Sequence, residues 1–144
     1  MEKDKLLIEL SERLRGALPS PSFSDQGEPQ KVFLSVWELE AWVNNGGFDA
    51  YLRYTDSDVI AYAPTALEAI GAHACRAIVK SALQILEPLP STREEREDAL
   101  DALSEPEIAK LEALDDGFYE YPDDLTSLLY AFVVERPEVF GKLS

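Results

Sequence analysis

Apolar residues recur at three- and four-residue spacing along almost the whole of this 144-residue chain, and prolines and glycines cut the pattern into segments of helical length. Leu6, Leu7, Leu10, Leu14, Ala17 and Leu18 form the first stripe, which Pro19 and Pro21 end. Residues 21–29, with two prolines, a glycine and two serines, read as a linker. Helicity resumes from about Gln30 to Val43. There Val32, Phe33, Val36 and Trp37 make one face, and Leu34, Leu39 and Trp42 widen it almost to the full circumference, as expected of a central core helix. Asn44-Asn45-Gly46-Gly47 breaks it, because glycine tolerates the left-handed conformation that closes a helix C-terminus. A short helix from Phe48 to Tyr54 should follow at an angle.

Asp56-Ser57-Asp58 is placed to cap a segment that begins near Val59 and is interrupted by Pro64. Ala66, Leu67, Ile70, Ala74, Ala77, Ile78 and Ile85 then continue one helical face to Leu86, with Gly71 inside it as a point of close helix approach. Pro88 and Pro90 stop the run. Thr92 with Glu95, and Ser104 with Glu107, are two capping boxes that open helices over about Arg93 to Leu103 and Glu105 to Glu120. A last helix, about Asp123 to Glu135, carries the core stripe Leu125, Leu128, Leu129, Phe132 and Val133, and Pro137 ends it.

No hairpin turn flanks the short β-prone patches at Val32-Phe33-Leu34 and Val133-Val134, and both lie inside longer helical patterns. The expected fold is all-α, a compact single-domain bundle of about six to eight helices. Its parts are an N-terminal helix over residues 1–20 packed on the core, the linker over 21–29 and a helical domain over 30–144. At 46% hydrophobic residues the chain is too apolar to be disordered. With no apolar run of eighteen residues it has no membrane span, and its opening lacks a secretory signal. The single cysteine, Cys75, can make no intrachain disulfide, so a cytoplasmic location is expected.

Charge is the strongest functional clue. Between Thr92 and Asp124 stand thirteen carboxylates and three basic side chains, which supply −10 of the chain's net −15. The carboxylates are Glu94, Glu95, Glu97, Asp98, Asp101, Glu105, Glu107, Glu112, Asp115, Asp116, Glu120, Asp123 and Asp124; the bases are Arg93, Arg96 and Lys110. On the first of the two charged helices Glu94, Glu97, Asp98 and Asp101 share one face, while Ala99, Leu100 and Leu103 turn inward. On the second, Ile108, Leu111 and Phe118 turn to the core, and Glu105, Glu112, Asp115, Asp116 and Glu120 spread over the outside. A field of one sign attracts a basic partner, and a solvated acidic face is the plainer alternative. A sequence pI near 4.3 argues against direct nucleic-acid binding, which runs on Lys and Arg.

Catalytic chemistry is thin. His73, the one histidine, stands two residues from Cys75, a spacing that puts the two side chains on different helix faces. Asp56-Ser57-Asp58 fails as a calcium loop, because Ile60 and Ala61 take the fifth and sixth places. The Asn-Asn-Gly-Gly turn lacks the Lys-Ser/Thr pair of a phosphate loop. No catalytic residue, metal ligand or cofactor site is therefore expected, and the chain reads as a non-enzyme.

Three motifs carry a resemblance. Glu40-Ala41-Trp42-Val43-Asn44-Asn45-Gly46-Gly47-Phe48-Asp49-Ala50-Tyr51 is the first, and Ala66-Leu67-Glu68-Ala69-Ile70-Gly71-Ala72 with Ala77-Ile78 is the second. The third is Leu114-Asp115-Asp116-Gly117-Phe118-Tyr119, leading into Leu125, Leu128, Leu129 and Phe140. Together, over about residues 32 to 140, they resemble the bacterial DNA-mimic protein family. Ala50 departs from that pattern, which has a glutamine before the tyrosine. The resemblance implies an all-α fold, dimerisation and a decoy role, in which the protein occupies the DNA-binding surface of a helix-turn-helix transcription factor.

The reading that follows is a non-catalytic acidic protein that binds and regulates a basic DNA-binding protein, itself touching neither nucleic acid nor membrane. Its contact residues would be Glu94, Glu97, Asp98, Asp101, Glu105, Glu112, Asp115, Asp116, Glu120, Asp123 and Asp124. The alternative is an immunity-like or adaptor module that binds through Trp37, Trp42, Phe48, Tyr51, Tyr54 and Tyr62 around the Gly-Gly turn.

Overall fold

The computed structural model describes residues 2–16 and 22–141, and among them every regular element is helical. Eight α-helices follow one another: α1 (Glu2–Gly16), α2 (Glu28–Tyr54), α3 (Ser57–Ala69), α4 (His73–Ile85), α5 (Arg93–Asp101), α6 (Glu105–Tyr119), α7 (Leu125–Val134) and α8 (Pro137–Phe140). The all-α expectation holds. Ala17, Leu18, Pro19 and Pro21, assigned to the end of the first helix, lie outside the described residues.

Helix α2 is the axis of the bundle and packs against α3, α5, α6, α7 and α8. Its Val32, Phe33, Val36, Leu39 and Val43 are buried, as are Phe48, Tyr51 and Leu52 beyond the turn. The wide apolar face seen in the sequence exists because this helix is surrounded. Helix α1 lies on α7 with Leu7 and Leu10 in the core, and the Arg13 guanidinium donates to the Phe140 carbonyl.

The linker is more ordered than its composition suggests. Phe23–Asp25 forms a 3-10 turn whose Phe23 ring meets Tyr62 edge-on at 5.7 Å. Glu28 and Pro29, assigned to the linker, are already helical, since proline in a first turn gives up an N–H that has no helical partner anyway.

The break after α3 also differs from expectation. The sequence places an interruption at Pro64 and a continuous helix from there to Leu86. In the structure α3 runs through Pro64 and ends at Ala69, and α4 starts at His73. Gly71 has φ +81° and sits in a paired-bond terminus, in which its N–H donates to Glu68 O at 3.0 Å and the Ala72 N–H to Leu67 O at 2.8 Å. A Cβ at Gly71 would meet nothing within 4 Å, so this glycine serves the turn rather than a helix contact. Pro137 likewise opens α8 instead of only ending α7.

Local capping otherwise follows the sequence closely. Ser104 and Glu107 form a complete capping box, and Thr92 accepts the Glu95 N–H at 3.1 Å. Of the run Asp56-Ser57-Asp58, Asp56 stands at the N-cap of α3 without a side-chain cap bond, while Asp58 Oδ1 accepts the Val59 N–H at 2.9 Å. The Asp56 carboxylate instead lies 3.8 Å from the Arg93 guanidinium.

Candidate acidic binding surface

Helix α5 is held on the bundle by its inward side, and that side carries the least expected residue of the chain. Arg96, counted among the bases of the acidic stretch, is only 1% exposed. Its guanidinium donates to Leu52 O at 2.8 Å and to Thr55 O and Ser57 Oγ, joining α5 to the turn between α2 and α3. Burial and the neighbouring Arg93 pull Arg96 below its ordinary pKa, against Asp56 and Glu97. With Arg96 and Leu100 turned inward, Glu94, Asp98 and Asp101 are exposed and Glu97 is half-buried. Helical spacing thus leaves the four carboxylates on the outer side, as the sequence indicates.

They are not equivalent. Arg53 of α2 reaches Asp101 at 3.1 Å and also holds Asp49 at 3.2 Å. These hydrogen bonds, Asp49's first, hold the guanidinium above its usual pKa. Asp101 therefore shares one guanidinium with Asp49, whereas Glu94, Glu97 and Asp98 have no ion pair among the described residues. The same is true of Glu105, Glu112, Asp116 and Glu120, all exposed on α6 or at its end.

Asp115 departs from the outward set. Its Oδ1 accepts the Phe48 N–H at 2.7 Å, and four residues on, Tyr119 Oη donates to Val43 O at 2.8 Å. One face of α6 thereby satisfies both broken ends of α2, where Gly46 and Gly47 leave the helical conformation. The Phe118 ring meets Phe48 edge-on at 5.8 Å beside them. Burial raises the Asp115 pKa, the Phe48 N–H opposes it, and Asp116, Glu112 and Asp49 add to it by repulsion. Glu112, Asp116 and Asp49 thus each repel the Asp115 carboxylate beside the α2 kink.

Asp123 also turns inward. Its Oδ2 accepts the Cys75 N–H at 2.7 Å, capping α4, whose own N-cap Ala72 has no side-chain acceptor. Burial and then Asp123 push the Cys75 thiol up to about 12, which keeps it protonated. Asp124 caps α7 through the Ser127 N–H at 3.1 Å, and that bond holds its carboxyl below the ordinary range. Beyond it lies an interaction absent from the sequence reading: Glu40 of α2 faces Asp4 and Asp124, and burial first, then these two charges, raises it to about 6.

The structure accordingly divides the eleven nominated residues. Glu94, Glu97, Asp98, Glu105, Glu112, Asp116 and Glu120 point outward on α5 and α6 without an ion pair among the described residues. Asp101 is paired, Asp115 and Asp123 are interior caps, and Asp124 caps its own helix. Ile108 breaks its expectation in the other direction: it was assigned to the core and is 42% exposed. It borders a groove of about 430 Å³ lined by Asp49 and Arg53 of α2, Leu100, Asp101 and Leu103 from the end of α5, and Ile108, Leu111, Glu112 and Asp115 of α6. Asp49 and Arg53 escaped the sequence reading of the surface, although their four-residue spacing is an ion-pair signal.

The aromatics around the Gly-Gly turn are mostly interior. Phe48 and Tyr51 are fully buried, Trp37, Trp42 and Tyr62 are half-buried, and Tyr54 is exposed but leans on Trp42 at 5.3 Å. Phe48 and Tyr51 offer no surface to a partner. Among the described residues no three His, Cys, Asp or Glu side chains are grouped to hold a metal ion, and no helix is long and apolar enough to cross a membrane.

The family model described as DMP19-like protein matches residues 25–136, which takes in α2 through α7 and therefore both the kink and the acidic helices. Searches of curated proteins and of solved structures each found no significant match.

Proposed function

The chain belongs to the DMP19-like family of DNA-mimic proteins, and from that membership we propose that it is a non-catalytic acidic decoy that occupies the basic surface of a DNA-binding protein and so regulates it. The observation that carries the reading is the outward set on α5 and α6. Seven carboxylates stand there with no ion pair among the described residues, on helices fixed from beneath by Arg96, Leu100, Leu111 and Phe118.

Rigidity is what makes such a set useful. Duplex DNA offers phosphates at fixed positions, and DNA-reading helices meet them with Arg and Lys held on a folded frame, commonly of the helix-turn-helix type. Carboxylates on packed helices keep Cβ spacings of about 5–6 Å and can pair bidentately with the same guanidinium groups. A single exposed pair contributes at most about 1 kcal/mol, so affinity would require several engaged together. The interior carboxylates Asp115 and Asp123 fall outside this contact set, because their acceptor oxygens already serve the fold.

The test is capture of basic DNA-binding proteins from the native lysate at low and high salt, using the wild-type chain and a triple variant, Glu94→Lys, Asp98→Lys and Asp116→Lys. The reading expects binding that weakens by about tenfold or more as Debye screening tightens, and that the variant abolishes. Capture that is insensitive to salt and intact in the variant overturns it.

A further inference from the structure

We infer that the groove between the second limb of α2, the end of α5 and the start of α6 takes an apolar side chain from the base-reading helix of the basic partner. The inference rests on the decoy reading above and adds shape to it. The groove holds about 430 Å³, within the range of about 300–1,000 Å³ usual for ligand pockets. Its floor is apolar: Leu100 and Leu111 belong to the core, Leu103 is half-buried, and Ile108 is left 42% exposed on a helix whose Leu111 and Phe118 are covered.

Its rim is acidic. Asp49, Asp101 and Glu112 line it with a single guanidinium, Arg53, which Asp49 and Asp101 already bind, and Asp115 lines it too with its Oδ1 committed to the Phe48 N–H. An apolar floor within a carboxylate rim complements a cationic helix with an apolar group at its centre. The major groove has the same layout, because phosphates flank it and thymine methyls give apolar contacts on its floor. A helix built to read DNA would thus find both kinds of contact here.

The test uses two synthetic helical peptides of about 18 residues, long enough to hold some helix. Both consist of Ala, Lys and Arg, one with a single central Leu and the other with Ser in that place. Their binding to the wild-type chain, to Ile108→Ser and to the triple charge variant is read by fluorescence anisotropy at low salt. The Leu peptide should bind the wild type about tenfold more tightly than the Ser peptide, the scale expected for burying one leucine. Ile108→Ser should erase that difference, whereas the triple charge variant should weaken both peptides alike and preserve it. Because Ile108 is exposed the variant should fold, and circular dichroism checks that it does. Equal affinity of the two peptides, or a difference that survives Ile108→Ser, overturns the anchor groove and leaves the charge reading standing. Binding of neither peptide overturns both.

Discussion

The Asp115 carboxylate accepts the backbone N–H of Phe48 at 2.7 Å, joining α6 to the broken middle of α2 across 67 residues of sequence. Tyr119, one turn along the same helix, bonds the Val43 carbonyl on the other side of the break. Two motifs that resemble the family's at separate places in the sequence are therefore one joint in space. An interrupted helix leaves donors and acceptors exposed at its cut ends, and α6 supplies a partner to each side.

Replacing Asp115 with Ala should cost about 1–2 kcal/mol, the usual penalty for removing a helix cap or stranding a partly buried N–H. Asp115→Asn keeps an acceptor oxygen and discards a charge that burial disfavours, so it should cost less than half as much. Urea unfolding of the two variants checks this. Equal losses would mean that the charge, not the cap, matters at this position.

The two glycines at the breaks should respond differently to alanine. Gly71 has φ +81° with open space around it, so Gly71→Ala carries only backbone strain, about 1 kcal/mol. Gly47, at φ +74° and ψ −174°, lies in a region that only glycine occupies readily. A Cβ there would also meet Asp115 Oδ2 at 2.5 Å. Gly47→Ala should therefore lose clearly more stability than Gly71→Ala in thermal or urea melts, and a reversed order would contradict the close approach of α6.

How much of this was legible follows from the range of each interaction. Helix order, the central place of α2 and the caps at Thr92 and Ser104 depend on spacing within a few residues, and the sequence shows them. Gly71 was misread because the alanine-rich pattern on both sides keeps its helical phase across the break. Asp115 and Asp123 were misread, and Arg96 was left without a role, for another reason. Their partners lie 67, 48 and about 40 residues away, and nothing local separates a carboxylate that caps a distant helix from one that faces water. Within the acidic stretch, then, composition located the charge but not which members of it are structural.

Arg96 gives a prediction of its own. An apolar replacement leaves the Leu52 and Thr55 carbonyls without their donor at the turn into α3. Arg96→Leu should cost about 3 kcal/mol, and Arg96→Lys somewhat less, because one ammonium cannot span the guanidinium's three acceptors. Chemical denaturation would show it. Loss near zero in both variants would mean that α5 is held by Leu100 alone.

Glu40 should make stability fall with pH over a defined window. Its carboxyl is raised from 4.5 to about 6 in the folded chain, by burial and by Asp4 and Asp124 opposite it. Between those two values the folded state binds more protons than the unfolded one, so stability declines as pH rises through the window and stays lower above it. Glu40→Gln removes the ionisation. The variant should match the wild type below about pH 4.5 and exceed it by about 1 kcal/mol above pH 6, after allowance for residual solvent contact. Lys3, which helps hold Asp124 ionised, is retained in both proteins, so the difference isolates Glu40. Unfolding free energies from pH 4 to 8 decide the matter: parallel curves for the two proteins would show that Glu40 ionises without cost and that α1, α2 and α7 meet without electrostatic strain.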